Sequence, residues 1–215
     1  MKLLMIAGLG NPGEEYTLTR HNAGADYVKL LCDNKSLALK KEKQINGSFA
    51  ELTTEKYKLI FVVPSTYMNE SGLSVAKSKK FFNLETDQIL IAHDELDLPI
   101  SEIRLKESGG HGGHNGLRNI IDHLQGDNSF KRLRIGIGKP KNNIDMISYV
   151  LKKAPKKDRE ELMLKLHHYL DLGERFILDG WQKTVMKYHS SEEEERNEPS
   201  VRDSRATQCR KINSF

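Results

Sequence analysis

Two short runs of unbroken apolar residues constrain this chain more than any other feature. Leu3-Leu4-Met5-Ile6-Ala7 ends at Gly8, and Ile89-Leu90-Ile91-Ala92 ends at His93. Neither alternates with polar residues, and neither is long enough for a helix. Strands covered on both faces read this way, and they belong to sheets with helices on each side. Elsewhere the period switches repeatedly. Strands are expected at Phe49–Thr53 paired with Lys58–Val63, at Ile103–Lys106 and at Leu133–Ile137. Helices are expected from Asn22 to Asp33, over Ser71–Phe82 and from the glycine stretch 109–116 to Leu124. A long one is expected over 158–178, where Leu162, Leu166, Leu170 and Ile177 share a face. Strands interleaved with helices predict a single α/β domain, a twisted mixed β-sheet flanked by helices in three layers.

The length of 215 residues suits one domain. No segment approaches the roughly 18 apolar residues of a spanning helix. The apolar start runs into Gly-Asn-Pro-Gly-Glu-Glu without the cleavage site of a signal peptide. Cys32 and Cys209 offer neither a disulfide framework nor metal spacing. A cytoplasmic protein without membrane association is expected, and a monomer, because no apolar surface stripe stands out. The folded domain is expected over 1–189. Residues 190–215 carry six acids and five bases with few apolar residues, the composition of a disordered tail. The net charge is +4, and +5 over residues 1–189, which permits an anionic partner.

Open α/β sheets put their ligands at strand ends, and three strands here lead to reactive polar groups. The first leads to Asn11 and His21, the second apolar run to His93-Asp94, and the Lys58–Val63 strand to Asn69. His114-Asn115 stands at the mouth of the glycine stretch. Gly8-Leu-Gly-Asn-Pro-Gly13 matches the spacing of a dinucleotide fingerprint, but a loop follows where that motif needs a helix. A tight turn presenting Asn11 is expected instead. His111-Gly-Gly-His114 has only Asp94 as a third ligand, so no metal is expected. There is no G-x-S-x-G elbow, and Cys32 falls on a predicted helix. A His with an Asp partner and no nucleophile points to water activated directly by imidazole. Basic residues at Arg104 and Lys106, and at Lys131, Arg132 and Arg134, flank the glycine stretch, so one anionic chain can touch both groups.

Six blocks carry a resemblance: GLGNPGEEY (8–16), TRHNAG (19–24), PSTYMNESG (64–72), HDELDLP (93–99), GGHGGHNGLRN (109–119) and FKRLRIGIG (130–138). In this order and spacing the sequence strongly resembles bacterial peptidyl-tRNA hydrolases from about residue 2 to 188. The resemblance implies hydrolysis of the ester between a peptide and the 3′-terminal ribose of tRNA, recycling the tRNA with no covalent intermediate and no cofactor. It makes His21 the general base, Asp94 its partner, and Asn11 with Asn69 and Asn115 the groups that hold the substrate or donate to the oxyanion. Tyr16, Tyr67 and Met68 become cleft walls and His114 an auxiliary group. Arg104, Lys106 and Arg134 become contacts to tRNA phosphates. The implied partner is peptidyl-tRNA, with no obligate protein partner. Two departures stand out: family members often carry Phe where Tyr67 stands, and the charged extension past 190 lies outside the shared pattern.

Overall fold

The structure, a computed structural model, describes residues 1–140 and 145–197, with side chains to Ser190. Seven strands form one mixed sheet in the order β2-β3-β4-β1-β5-β7-β6. The strands are β1 Lys2–Gly8, β2 Lys40–Glu42, β3 Gly47–Thr53, β4 Tyr57–Pro64, β5 Ile89–Glu95, β6 Ile103–Lys106 and β7 Lys131–Gly136. The four central strands, β4, β1, β5 and β7, run parallel. The outer strands β3 and β6 pair antiparallel, and β2 continues that edge.

The expected apolar runs are the two central strands β1 and β5, and the reason is burial on both faces. On one face Leu4, Ile6, Leu90 and Ala92 pack with Tyr27, Val28 and Leu31 of α1 (Ala23–Asn34). On the other, Met5, Ala7, Ile89 and Ile91 meet Val75 of α2 (Ser71–Phe81) and Leu117 and Ile120 of α3 (Asn115–His123). This is the three-layer arrangement the sequence predicts.

Two expectations change. The helix expected over 158–178 is two helices, α5 (Lys156–His167) and α6 (Leu172–Asp179). The chain turns between them because the carbonyl of Tyr169 accepts from Leu172 N at 3.2 Å and from the buried Tyr27 hydroxyl at 2.7 Å. That carbonyl is therefore lost to an i+4 ladder. A short α4 (Met146–Val150) precedes them, and α7 (Trp181–Asn197) follows and runs past residue 189. The remainder of the expected tail, 198–215, lies outside the described residues. No helix among the described residues is long and apolar enough to cross a membrane.

Candidate active site

The parallel strands end on one side of the sheet, and β1 lies between β4 and β5. Chain connections depart to opposite sides there, which opens a crevice at the carboxyl ends. Into it come Asn11 from beyond β1, Met68 and Asn69 from beyond β4, and Asp94 from β5. The sequence placed His93-Asp94 after the strand; both are strand residues, and the ladder to β7 pairs Asp94 with Ile135. Asp94 thus has a rigid backbone and a side chain only 2% exposed.

His21 reaches it from a 3-10 turn, Arg20–Asn22, that leads into α1. The approach depends on glycine. A Cβ on Gly24 would lie 2.1 Å from the Ala92 carbonyl oxygen, and one on Gly8 would lie 2.2 Å from the Gly24 carbonyl oxygen. The first turn of α1 can therefore press onto β1 and β5, and His21 comes down beside Asp94. Arg20 ties the same turn outward, its guanidinium carbon 4.2 Å from the Tyr149 ring centre, while Arg20 N donates to the Lys152 carbonyl at 3.2 Å.

The hydrogen bonds around Asp94 fix the tautomers. Leu117 N donates to His114 Nδ1 at 3.2 Å, as a helix cap of α3. The proton of neutral His114 is therefore on Nε2, which donates to Asp94 Oδ1 at 2.9 Å. His21 Nδ1 donates to both Asp94 oxygens at 2.9 Å, which leaves His21 Nε2 as the basic atom. Burial alone would raise the pKa of Asp94, but the charges and hydrogen bonds of His21 and His114 hold its carboxyl well below the usual range. For His21, burial is the largest influence and works against charging. The charge and hydrogen bond of Asp94 together outweigh it and raise His21 above 6.5. His93, which the sequence singled out only as a neighbour, donates through Nδ1 to the Asp94 carbonyl at 2.7 Å. Burial, then the adjacent His114, lowers its pKa to about 3, so it stays neutral.

His21, Asp94 and His114 also meet a distance condition for a cation site, with ligand atoms within 4.8 Å of one another. The tautomers fit hydrogen bonding better. Metal at His114 Nε2 would move the proton to Nδ1, against the Leu117 N–H, and cost α3 its cap.

Asn11 is held by Asn22, which in the sequence looks only like a helix start. Asn22 is 4% exposed; its Oδ1 accepts from Asn11 N at 2.8 Å and its Nδ2 donates to the Asn11 carbonyl at 3.0 Å. Asn11 Oδ1 accepts from Met68 N at 2.7 Å. The Asn11 side chain therefore has its oxygen engaged, and its Nδ2 amino group remains to donate. Met68 is buried beneath this contact, whereas Asn69 and Asn115 are exposed. Tyr16 and Tyr67 meet edge to face at 6.2 Å, with Tyr67 half exposed. A cavity of about 340 Å³ opens beside His21 and Asp94, walled by the glycine loop on one side and by Leu96, Ile147 and Val150 on the other. The α4 wall was not anticipated. Its only local signal is Asp145, whose carboxylate caps Ser148 N at 2.9 Å.

The expected phosphate contacts lie on the edge pair β6–β7, and none of them lines this cavity. Arg104 lies opposite Arg134, and Lys106 opposite Arg132. Arg104 Nε donates to Glu102 and Arg134 Nε to Glu95, each at 2.9 Å.

Fold and site define the class: an α/β hydrolytic enzyme with an imidazole–carboxylate pair at the carboxyl edge of its sheet. A family model described as peptidyl-tRNA hydrolase matches residues 5–197, and the chain belongs to that family. It is 45% identical over 188 residues to a peptidyl-tRNA hydrolase of Dichelobacter nodosus, spanning 87% of this chain and 99% of that one. Identity to the enzyme of Pseudomonas aeruginosa is 42% over 186 residues, 86% of this chain and 96% of the other. A crystal structure of peptidyl-tRNA hydrolase from Acinetobacter baumannii superposes with a TM-score of 0.79 at 40% identity, covering 85% of this chain and 92% of that one.

Proposed function

We propose that this protein hydrolyses the ester joining a peptide to the 3′-terminal ribose of tRNA, and so recycles peptidyl-tRNA. The observation that carries the reading is the His21–Asp94 pair, which leaves His21 Nε2 basic at the mouth of the cavity. His21 Nε2 takes a proton from water as the water oxygen bonds to the ester carbonyl carbon. Negative charge gathers on the carbonyl oxygen, and uncharged amides such as Asn11 Nδ2 donate to it. The bond to the ribose oxygen then breaks, and that oxygen leaves with the proton from His21. Asp94 stays ionised and stabilises the imidazolium meanwhile. Asn69 and Asn115 hold peptide and ribose at the exposed rim, Tyr16 and Tyr67 form its aromatic wall, and no cofactor enters any step.

The basic edge suits the tRNA. Like charges directly opposite each other weaken a sheet, yet Arg104–Arg134 and Lys106–Arg132 are both such pairs. Glu102 and Glu95 offset Arg104 and Arg134, and the exposed Lys106 faces solvent where a tRNA phosphate can reach it. A complete site within one chain supports a monomer without an obligate partner. A buried free Cys32, whose thiol burial pushes up to about 11, suits a reducing cytoplasm.

The test is to incubate the protein with peptidyl-tRNA and with a simple peptide ester and to measure free tRNA. Release from peptidyl-tRNA with little attack on the ester supports the reading. Binding without release makes the protein a silent tRNA binder, and equal attack makes it a general esterase.

Lys106→Ala and Arg134→Ala are expected to raise KM for peptidyl-tRNA roughly tenfold, the equivalent of about 1.4 kcal/mol, with kcat nearly unchanged. Each should reduce the salt slope of binding by about one. A peptide esterified to a very short oligonucleotide should be cleaved normally. Equal losses on both substrates would place these residues in the fold or the chemistry. Lys106→Ala is the cleaner case, since Arg134→Ala also strips Glu95 of its partner.

Asn22→Ala should cost about 1–3 kcal/mol of stability through the two bonds to Asn11. It should also lower kcat by roughly 10–100-fold, because Asn11 loses its register against the ester. A stability loss with unaltered kcat, measured well below the melting temperature, would show that Asn11 needs no such support.

A further inference from the structure

Arg132 stands in the middle of the basic stripe, but its surroundings differ from those of its neighbours. It is 2% exposed, while Lys106 across the strand pair is exposed. A buried cation ordinarily has a carboxylate partner, and among the described residues no carboxylate pairs with Arg132. Its guanidinium turns to the backbone of the glycine loop instead. Nη1 donates to the Gly110 carbonyl at 2.6 Å, and Nη2 donates to the Gly109 carbonyl. The guanidinium carbon lies 4.8 Å from the Phe130 ring centre, and Nε is buried without a partner. With both terminal nitrogens engaged and the side chain enclosed, little of Arg132 is left for a phosphate.

The loop needs such an anchor. Gly109, Gly112 and Gly113 have φ of +136°, +56° and +85°, in the region that glycine enters freely. At Gly110, Gly112 and Gly113 the space where a Cβ would point is open to 4 Å, so packing there holds nothing. Inside the loop, Gly113 N donates to His111 Nδ1 at 3.0 Å and His114 N to the His111 carbonyl at 2.9 Å. These bonds shape the loop without attaching it to the sheet. Four residues beyond Gly110 stands His114, which must meet Asp94 at 2.9 Å.

We propose that Arg132 is a positioning residue for the hydrolysis: its fork onto the Gly109 and Gly110 carbonyls holds the glycine loop to the sheet, so that His114 stays hydrogen-bonded to Asp94. The effect on turnover rests on the hydrolytic reading above. The effect on His114 does not, which keeps the two separable.

The variant of choice is Arg132→Met, which keeps the stem over Phe130. The substitution removes the buried, unpartnered Nε together with the two donors to the loop, while keeping most of the side chain's volume. The first readout needs no substrate: imidazole ¹⁵N spectra of His114, whose Nε2–H tautomer is fixed in the wild type. In Arg132→Met the His114 signals should shift towards a mixture of tautomers. The second is turnover, expected to fall roughly 10–100-fold on full-length peptidyl-tRNA and on the short-oligonucleotide ester alike. The third is the salt slope of tRNA binding, expected to match the wild type, in contrast to Lys106→Ala. Arg132→Lys keeps the charge but cannot bridge two carbonyls, and it should fall between the two. If Arg132→Met fails to fold, Arg132→Lys decides on the same readouts. A salt slope reduced by about one with normal kcat would make Arg132 a phosphate contact and overturn the proposal. Unchanged His114 spectra with unchanged kcat would overturn it too. Wild-type protein that releases no tRNA would sink the hydrolytic reading while leaving the spectra to judge the loop.

Discussion

His21→Ala is expected to lower kcat by roughly 10²–10⁴-fold while leaving tRNA affinity nearly unchanged, because a positioned general base contributes about that much. The separation of binding from chemistry follows from the geometry. His21 lies beside Asp94 at the carboxyl end of β5, whereas the cationic stripe lies on β6 and β7. His21 therefore has no phosphate to neutralise. In the wild type the base works only when neutral. Its pKa is raised above 6.5, so kcat/KM should fall as pH drops through that raised value. The variant should lose this acid limb together with most of its rate. Rates and affinities are separated by single-turnover kinetics against direct tRNA binding. A variant that kept wild-type turnover would remove His21 from the role of base, and a variant that lost tRNA binding would make it a substrate contact.

The parts of the candidate site legible in the sequence are those whose own side chains line it. Asn11, His21, Asp94 and His114 follow glycine turns or buried strand ends, where polar side chains have no packing role to explain them. The residues that hold them were harder to see. Asn22 looks like an ordinary helix start, and only the fold brings its amide against the Asn11 backbone. Arg132 hides in a basic run, since charge alone does not distinguish a cation facing solvent from one facing two carbonyls. Val150 and Ile147 sit on a five-residue helix too short for any period to emerge. The same limit applies to the fold. Apolar continuity located β1 and β5, but Lys40–Glu42 is an edge strand with mostly exposed side chains and no apolar pattern. The break between α5 and α6 depends on the Tyr27 hydroxyl, 142 residues from the carbonyl it binds.

Asp94→Asn is expected to slow hydrolysis by roughly 10² or more, and the reason lies in how many protons the position must accept. Asp94 takes the Nε2–H of His114 on Oδ1 and the Nδ1–H of His21 on both oxygens. Asparagine has one acceptor oxygen and one amino group in place of these two oxygens. His114 cannot give way, because the Leu117 N–H occupies its Nδ1 and keeps the proton on Nε2. The asparagine oxygen therefore turns to His114, and its amino group faces His21. Neutral His21 must then accept at Nδ1 and carry its proton on Nε2, which deprives the water of its base. A second signature follows from charge. Without the carboxylate, burial remains as the main influence on His21, so its pKa falls and the acid limb of any residual kcat/KM moves to lower pH. The tautomer argument is checked by the double variant. Removing His114 as well frees the asparagine oxygen for His21 Nδ1–H, so Asp94→Asn with His114→Ala should turn over faster than Asp94→Asn alone. If the two losses simply multiply, the competition between the imidazoles for one acceptor is not what limits the single variant.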